Sequence, residues 1–142
     1  MKKKGLTRTE RLLEGITAVL AVVYEGLQIY YGIAYHAGAL RVIMNMLIFA
    51  LLYVGFTLLL LYPERVNGLS VEVCSGKIRT HTIRMVQLIK LAFVSALLFS
   101  SICDALGQQI DSVYSLVAMG VIVVIAAVCE IQIIRELRRK KK

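Results

Sequence analysis

The chain is poor in residues that break helices and in residues that cover a water-facing surface. Of its 142 residues one is proline, Pro63, none is tryptophan, and 18% are charged. Hydrophobic residues make up 58%, and the mean hydropathy is +0.74. So few polar residues can neither cover a soluble domain of this size nor keep a chain disordered, which excludes both classes. The composition is typical of a membrane protein built from uninterrupted helices.

Motifs that carry chemistry are missing as well. The three cysteines, Cys74, Cys103 and Cys129, form no C-x-x-C pair, which disfavours a thiol–disulfide oxidoreductase. No nucleophile elbow, phosphate-binding loop, zinc-protease motif or dinucleotide fingerprint occurs. His36 and His81 fall on opposite sides of the predicted topology and cannot share a metal. We therefore expect a non-enzymatic protein with no catalytic residue, no metal site and no cofactor.

Long apolar runs predict four membrane-spanning helices, at about 11–35, 41–62, 84–104 and 112–134, of which the first carries Glu14 and Glu25. Residues 42–63 and 112–129 carry no charge, and Lys90 alone interrupts 85–103. Each run is close to the roughly 20 residues that cross a bilayer. The predicted fold class is an all-α integral membrane protein, an antiparallel four-transmembrane-helix bundle. It forms one domain over 1–142, with a soluble loop at 63–83 and a basic tail at 135–142.

The placement of positive charge predicts the orientation. The net charge is +8, and Lys and Arg number five in 1–11, four in 63–84 and six in 135–142. The opposite side receives one, Arg41. Because basic residues collect on the cytoplasmic side, we expect both termini to be cytoplasmic, in a plasma or inner membrane. The basic residues then attract anionic lipid headgroups there, and a nucleic-acid partner is not expected.

Local signals predict where the helices begin and end. Thr7 and Glu10 fit a capping box before the first helix, and Pro63 closes the second. Thr82 is expected to cap the third helix, and Asp111 or Ser112 the fourth. The stretch 71–78 alternates around a Ser-Gly turn, which fits either a small hairpin or a flexible interfacial loop. In the tail, Glu136 and Lys140 have the spacing of a helical ion pair.

Rows of small and polar residues at helical spacing predict which faces turn away from lipid, because a carboxylate facing hydrocarbon is costly. The predicted rows are Glu14, Ala18, Ala21, Glu25, Gln28, Gly32 and Tyr35 on the first helix; Asn45, Ile48, Leu52, Gly55 and Leu59 on the second; Ala92, Ala96, Ser100 and Asp104 on the third; and Gly120, Val123, Ala127 and Glu130 on the fourth. Such rows let helices approach closely.

Helix depth sorts the polar residues into two sets. With an α-helical rise of about 1.5 Å per residue, one set of polar residues is placed in the outer half of the membrane. We expect this set to form a polar cluster that serves either binding or packing. It comprises Glu25, Gln28, Asn45, Ser100 and Asp104. On the cytoplasmic side, Lys90 is expected to pair with Glu14 or Glu130, or to extend its amine to the interface.

Three classes of function fit these observations to different degrees. The first hypothesis is an accessory or assembly subunit of a membrane complex, because catalytic motifs are missing and the soluble portion is small. The alternative is a small oligomeric proton-coupled carrier or channel built around Glu25. A membrane enzyme is third, supported only by scattered carboxylates. Four short helices enclose little volume, so a homo-oligomer or a larger membrane complex is expected.

Overall fold

Four long α-helices make up most of the structure, a computed structural model that describes residues 5–140. They are α1, Arg8–Ala34; α2, Ala39–Leu61; α3, Lys77–Ala105; and α4, Val113–Lys140. One turn of 3-10 helix, Pro63–Arg65, follows α2, and no strand occurs within 5–140. Each of the four helices is long and apolar enough to cross a membrane. The prediction of an all-α chain with four such helices is confirmed.

The helix ends follow most of the predicted signals. Thr7 and Glu10 form the capping box, in which the Thr7 amide donates to the Glu10 carboxylate at 2.7 Å. Asp111 caps α4 by accepting from the Val113 amide at 3.2 Å. The prediction for Thr82 is wrong, because this residue lies buried inside α3 and donates to the Ile78 carbonyl. The helix begins at Lys77 instead, after Gly76, whose φ of 59° favours glycine.

The loop between α2 and α3 is therefore shorter than predicted and forms no hairpin. Residues 66–76 run through turns, and 77–83, predicted as loop, are the first two turns of α3. Apolar contact explains the longer helix, because Ile78 and Met85 pack there against Ile133 of α4. Hydropathy predicts only the apolar part of this helix, whereas α3 begins two turns earlier, where it packs against α4.

Side-chain contacts fix the relative directions of the helices. Gln28 of α1 meets Ser101 of α3, and Gln87 of α3 meets the Glu10 carbonyl, so α1 and α3 run parallel. The helices α2 and α4 run in the opposite direction, so each helix is antiparallel to the next along the chain. One end of the molecule, which we call the basic end, contains Thr7, the loop 62–76 and the C-terminal end of α4. The other, the turn end, holds the connections 35–38 and 106–112.

The helix α3 is the centre of the molecule, in place of a symmetric four-helix arrangement. It packs against α1, α2 and α4, whereas α4 contacts no helix other than α3 within the described residues. Many apolar side chains of α4 consequently have no protein cover, among them Leu116, Val117, Met119, Val123 and Val124. The fold is thus a unit of α1, α2 and α3 with α4 attached to one side of α3.

Three apolar clusters hold the helices together, and their members correct the predicted faces. The largest joins Ala21 and Tyr24 of α1, Phe49 of α2 and Val94 and Leu98 of α3. On α2 the inward row is Phe49, Tyr53, Phe56 and Leu60, while the predicted Ile48 and Leu52 point outward. On α4 the predicted Val123 is exposed, and Ile133 is the buried residue.

Candidate functional site

The inward face of α1 is rotated from the predicted row. Buried α1 residues past the first turn are Thr17, Ala21, Tyr24 and Gln28, whereas Ala18 is exposed and Glu14 and Glu25 are half-buried. The rule that small or polar residues face inward missed Tyr24, whose ring packs on that of Phe49 with centroids 4.4 Å apart. Gly32 does lie at a close approach, since a Cβ there would meet Val42 at 2.9 Å.

A series of polar contacts runs along the interface between α1 and α3. At the basic end, Gln87 donates to the Glu10 carbonyl at 3.0 Å. Farther along, Lys90 reaches Glu14, and Gln28 donates to the Ser101 hydroxyl at 2.9 Å. At the turn end, the Tyr35 hydroxyl donates to the Ala105 carbonyl at 2.6 Å. These bonds fix one register of the two helices, because sliding either helix would leave several polar groups unpaired in an apolar setting.

Lys90 is the most completely buried charged side chain of the described residues, with 0% exposure. Its ammonium lies 2.8 Å from Glu14 Oε2 and 3.1 Å from Thr57 Oγ1, and 3.9 Å from the ring centre of Tyr53. An ammonium can donate three hydrogen bonds and is also attracted to an aromatic face. The three groups come from α1 and α2, so this one cation joins α1, α2 and α3.

The predicted set of Glu14, Lys90 and Glu130 is therefore only partly brought together. Glu130 lies half-buried on α4, and the ion pairs within 5–140 are Lys90–Glu14 and Arg139–Glu136. The predicted pair of Glu136 with Lys140 is wrong. The ammonium of Lys140 instead reaches back to the loop, where the Ser75 hydroxyl accepts at 2.8 Å.

A polar pocket of about 230 Å³ opens near the turn end. Its lining brings together four residues of the predicted cluster, Gln28, Asn45, Ser100 and Asp104. The pocket is also lined by residues that the predicted cluster did not contain: Tyr24, Tyr31, Ala37, Arg41, Val42, Leu97 and Ser101. The omission of Arg41 was avoidable, because it is the one basic residue predicted for the outer side, and residues near one membrane face share a depth.

Glu25, the fifth predicted member, lies elsewhere. It borders a separate groove of about 280 Å³ between α1 and α2, whose other lining residues are Ala21, Val22, Phe49, Ala50, Tyr53 and Val54. The carboxyl oxygen Oε2 of Glu25 is shielded from solvent and has no hydrogen-bond partner in the described residues. The rotation of about 100° between neighbouring residues on a helix explains this position, because it turns Glu25 away from the direction of the buried Tyr24.

The pocket and the ion pair are separated by apolar packing. The cluster of Ala21, Tyr24, Phe49, Val94 and Leu98 lies between the level of Gln28 and Ser101 and that of Glu14 and Lys90. The apolar cluster therefore separates the pocket, near the turn end, from the ion pair toward the basic end. Within residues 5–140 no three His, Cys, Asp or Glu side chains are grouped as a metal site would require.

Four apolar helices around a polar interface point to a membrane protein. Comparison of the chain with protein-family models, with curated proteins and with solved structures gives no match.

Proposed function

We propose that this protein is a non-enzymatic accessory subunit of a membrane complex, in which a transmembrane helix of a partner protein covers the groove between α1 and α2. The observation that carries the proposal is the half-buried Glu25, which borders an apolar groove between α1 and α2 and receives no hydrogen bond at its Oε2 within the described residues. A charged or polar group facing hydrocarbon is costly, so polar side chains within membranes are usually turned toward protein or water. A partner helix supplies that protein surface.

The chemistry of the groove defines what the partner must offer. Its walls include the small residues Ala21 and Ala50, which allow a second helix to approach closely and to gain dispersion contacts. At the depth of Glu25 the partner needs a donor, namely a hydroxyl, an amide or a cation. The groove is otherwise apolar, so the remaining contact surface of the partner helix is apolar as well.

The same proposal includes an orientation. Both termini and the loop 62–76 are cytoplasmic, because the basic residues lie at that end and favour the cytoplasmic side. The lysines at 2–4 and 141–142 belong to this argument, although they lie outside the described residues. Anionic headgroups of a plasma or inner membrane then surround the basic end.

A small oligomeric carrier built around Glu25 is the alternative proposal. A solvent-open polar pocket favours it, since a carrier needs a chamber for its substrate. Glu25, however, borders the apolar groove, so its protonation would act on the substrate only across the Tyr24 layer. The subunit proposal accounts for the position of Glu25 directly and is preferred for that reason.

Site-specific photocrosslinking in native membranes distinguishes the two proposals. A benzophenone amino acid replaces Val22 or Val54 in the groove, and the control position is Val124, on the uncovered face of α4. We expect the two groove positions to give an adduct of one defined protein, which Glu25→Leu abolishes, whereas Val124 gives lipid adducts. A Glu72→Gln variant in the exposed loop controls for the loss of a carboxylate.

Two results would overturn the subunit proposal. Lipid adducts alone at Val22 and Val54 would mean that the groove faces hydrocarbon. An adduct of twice the chain mass would mean that a second copy covers the groove, which supports the oligomeric carrier.

A further inference from the structure

The polar pocket at the turn end contains two opposite charges that do not neutralise each other. Arg41 comes from the first turn of α2, and Asp104 from the last turn of α3. Neither takes part in an ion pair within the described residues, where N–O separations of 4.0 Å or less define one. Both side chains are exposed, so both charges stay hydrated and available at the mouth of the pocket.

Neutral polar groups form the deeper part of this pocket. Gln28 and Ser101 are buried and bonded to each other at 2.9 Å, and Ser100 is half-buried beside them. The amide of Gln28 and the hydroxyl of Ser101 each retain further capacity to accept or donate. Asn45 adds an exposed amide from α2. The lining is mainly polar, which does not suit an apolar ligand.

The size and the charges narrow the class of ligand. A volume of about 230 Å³ is below the roughly 300–1,000 Å³ of sites for drug-sized ligands, so a small molecule or headgroup fits. A simple anion would be attracted by Arg41 but repelled by Asp104. A simple cation would be attracted by Asp104 but repelled by Arg41. A molecule with one positive and one negative group satisfies both residues at once.

We propose that this pocket binds a small zwitterion, with its anionic group on Arg41 and its ammonium on Asp104. A guanidinium is suited to the planar or tetrahedral oxygens of a carboxylate or phosphate, and a carboxylate accepts from an ammonium. Two sources share this chemistry: a free amino acid and the headgroup of phosphatidylethanolamine. The inference is independent of the subunit proposal, because the pocket and the Glu25 groove are separate cavities.

The test uses the full chain in nanodiscs of phosphatidylglycerol, which has no ammonium. In the first arm, glycine, 4-aminobutyrate and 6-aminohexanoate are titrated by calorimetry, with acetate and methylammonium as singly charged probes. In the second arm, the nanodiscs contain phosphatidylethanolamine, and retention of this lipid is measured by native mass spectrometry. We expect saturable binding in at least one arm, and at least tenfold weaker binding of acetate and methylammonium than of the bound amino acid.

The variants Arg41→Gln and Asp104→Asn should each weaken that binding at least tenfold. The matched controls are Arg11→Gln and Glu72→Gln, two exposed residues at the basic end, which should change it less than twofold. Circular dichroism establishes that each variant is folded. As a second measurement, the thiol of an Asn45→Cys variant should be protected from a soluble thiol reagent by the bound ligand.

Several outcomes would overturn the proposal. They are no binding in either arm, equal binding of the singly charged probes, or unchanged affinity in both pocket variants. Lack of protection at position 45 while a ligand is bound would place that ligand elsewhere. Because Glu25 is not altered in any of these experiments, their failure leaves the crosslinking result unaffected.

Discussion

The two sides of α3 differ in the kind of contact that they make. Toward α1 the interface contains the Lys90–Glu14 ion pair and the Gln28–Ser101 and Gln87–Glu10 hydrogen bonds. Toward α4 the contact is mainly apolar, formed by residues such as Ile78, Met85 and Ile133. One polar contact on that side joins the Tyr114 hydroxyl, in the first turn of α4, to the Ala96 carbonyl of α3.

This difference has a consequence that is specific to membranes. In water, burying apolar side chains is itself the driving force for helix association, whereas lipid tails solvate them as well as a neighbouring helix does. Apolar contact between helices in a bilayer therefore gains only from close packing. Polar contacts determine which helices pair and in which register, because the bilayer interior contains no water that could hydrogen-bond an unpaired polar group. We therefore expect α4 to be attached more weakly than α1, although both helices pack along α3.

The largest effect is expected from Lys90→Met, which removes the cation shared by α1, α2 and α3. Breaking one partner of a buried ion pair typically costs about 3–5 kcal/mol, because the other charge remains buried without compensation. We expect a loss of this order in the free energy of unfolding, measured by reversible denaturation in mixed micelles. The remaining charge would be Glu14, whose second oxygen already has no partner.

Two further variants make this prediction specific. Arg139→Met breaks the pair with Glu136, in which Arg139 is 75% exposed, and should cost no more than about 1 kcal/mol. Combining Lys90→Met with Glu14→Met should recover much of the loss, since matched apolar residues often replace a buried pair without penalty. Equal stability of Lys90→Met and the wild type would show that the pair does not hold α1 to α3.

The second effect in size is expected on the other side of α3. Ile133 is 1% exposed and packs on Ile78 and Met85, so Ile133→Ala leaves a cavity between α3 and α4. Large-to-small changes in cores cost roughly 2–5 kcal/mol, and about 2 kcal/mol is expected here, because lipid can fill part of the space. The matched control is the neighbouring Ile134→Ala, at a position that is 46% exposed.

Hydrogen exchange by mass spectrometry locates the effect of Ile133→Ala. Faster exchange is expected in α4 and in the first turns of α3, with α1 unchanged. Uniform acceleration across all four helices would contradict the weaker attachment of α4.

The elements of the fold were predictable from the sequence, because charge-free runs and the Thr7–Glu10 capping box are local signals. The start of α3 at Lys77 was not, because three basic residues in 77–84 resemble a solvated loop. Contacts with Ile133, which is about 50 positions away in the sequence, stabilise this segment as a helix. A local sequence pattern carries no information about such a distant contact. Hydropathy thus found the apolar parts of the helices and missed the more polar first turns of α3.

The helix faces were harder to predict for a physical reason. In a soluble helix the hydrophobic stripe contrasts with a polar face, but in a bilayer both lipid and core are apolar. Aromatic residues such as Tyr24 and Phe49 therefore carried no signal of burial, although they form the central cluster. For Lys90, the choice between Glu14 and Glu130 depended on the side of α3 from which the lysine projects, because α1 and α4 both pack on α3. Only the three-dimensional arrangement shows that this side faces α1.

A third prediction concerns a single hydrogen bond between α1 and α3. Gln28→Leu removes the donor to Ser101, and interhelical hydrogen bonds in membrane proteins are worth about 0.6 kcal/mol on average. We expect a loss of that order in the free energy of unfolding. Gln132→Leu, at an exposed position of α4, is the matched control and should show no loss. A loss above about 2 kcal/mol would mean that Gln28 stabilises the fold through more than its hydrogen bond to Ser101.

The smallest effect is expected where α4 meets the loop. Cys74 is buried there, and burial, followed by the nearby charge of Glu64, raises the pKa of its thiol, while Arg79 and Lys140 oppose that shift. The pKa is higher in the folded state than in the unfolded state. The packing of the neutral thiol therefore contributes its full stability below the unfolded pKa, and that contribution is lost as pH rises through the folded pKa.

Maleimide labelling of Cys74, in a chain that carries Cys103→Ser and Cys129→Ser, tests this contact. Labelling near neutral pH should be slow, because only the exposed thiolate reacts. Lys140→Ala removes the bonds to Val73 and Ser75 that attach the end of α4 to the loop, and labelling should become faster. Lys77→Ala, an exposed lysine in the same region, should leave the rate unchanged. Removing the positive charge of Lys140 by itself favours the neutral, unreactive thiol, so faster labelling would have to come from exposure of Cys74. An unchanged or slower rate would show that the end of α4 does not cover Cys74.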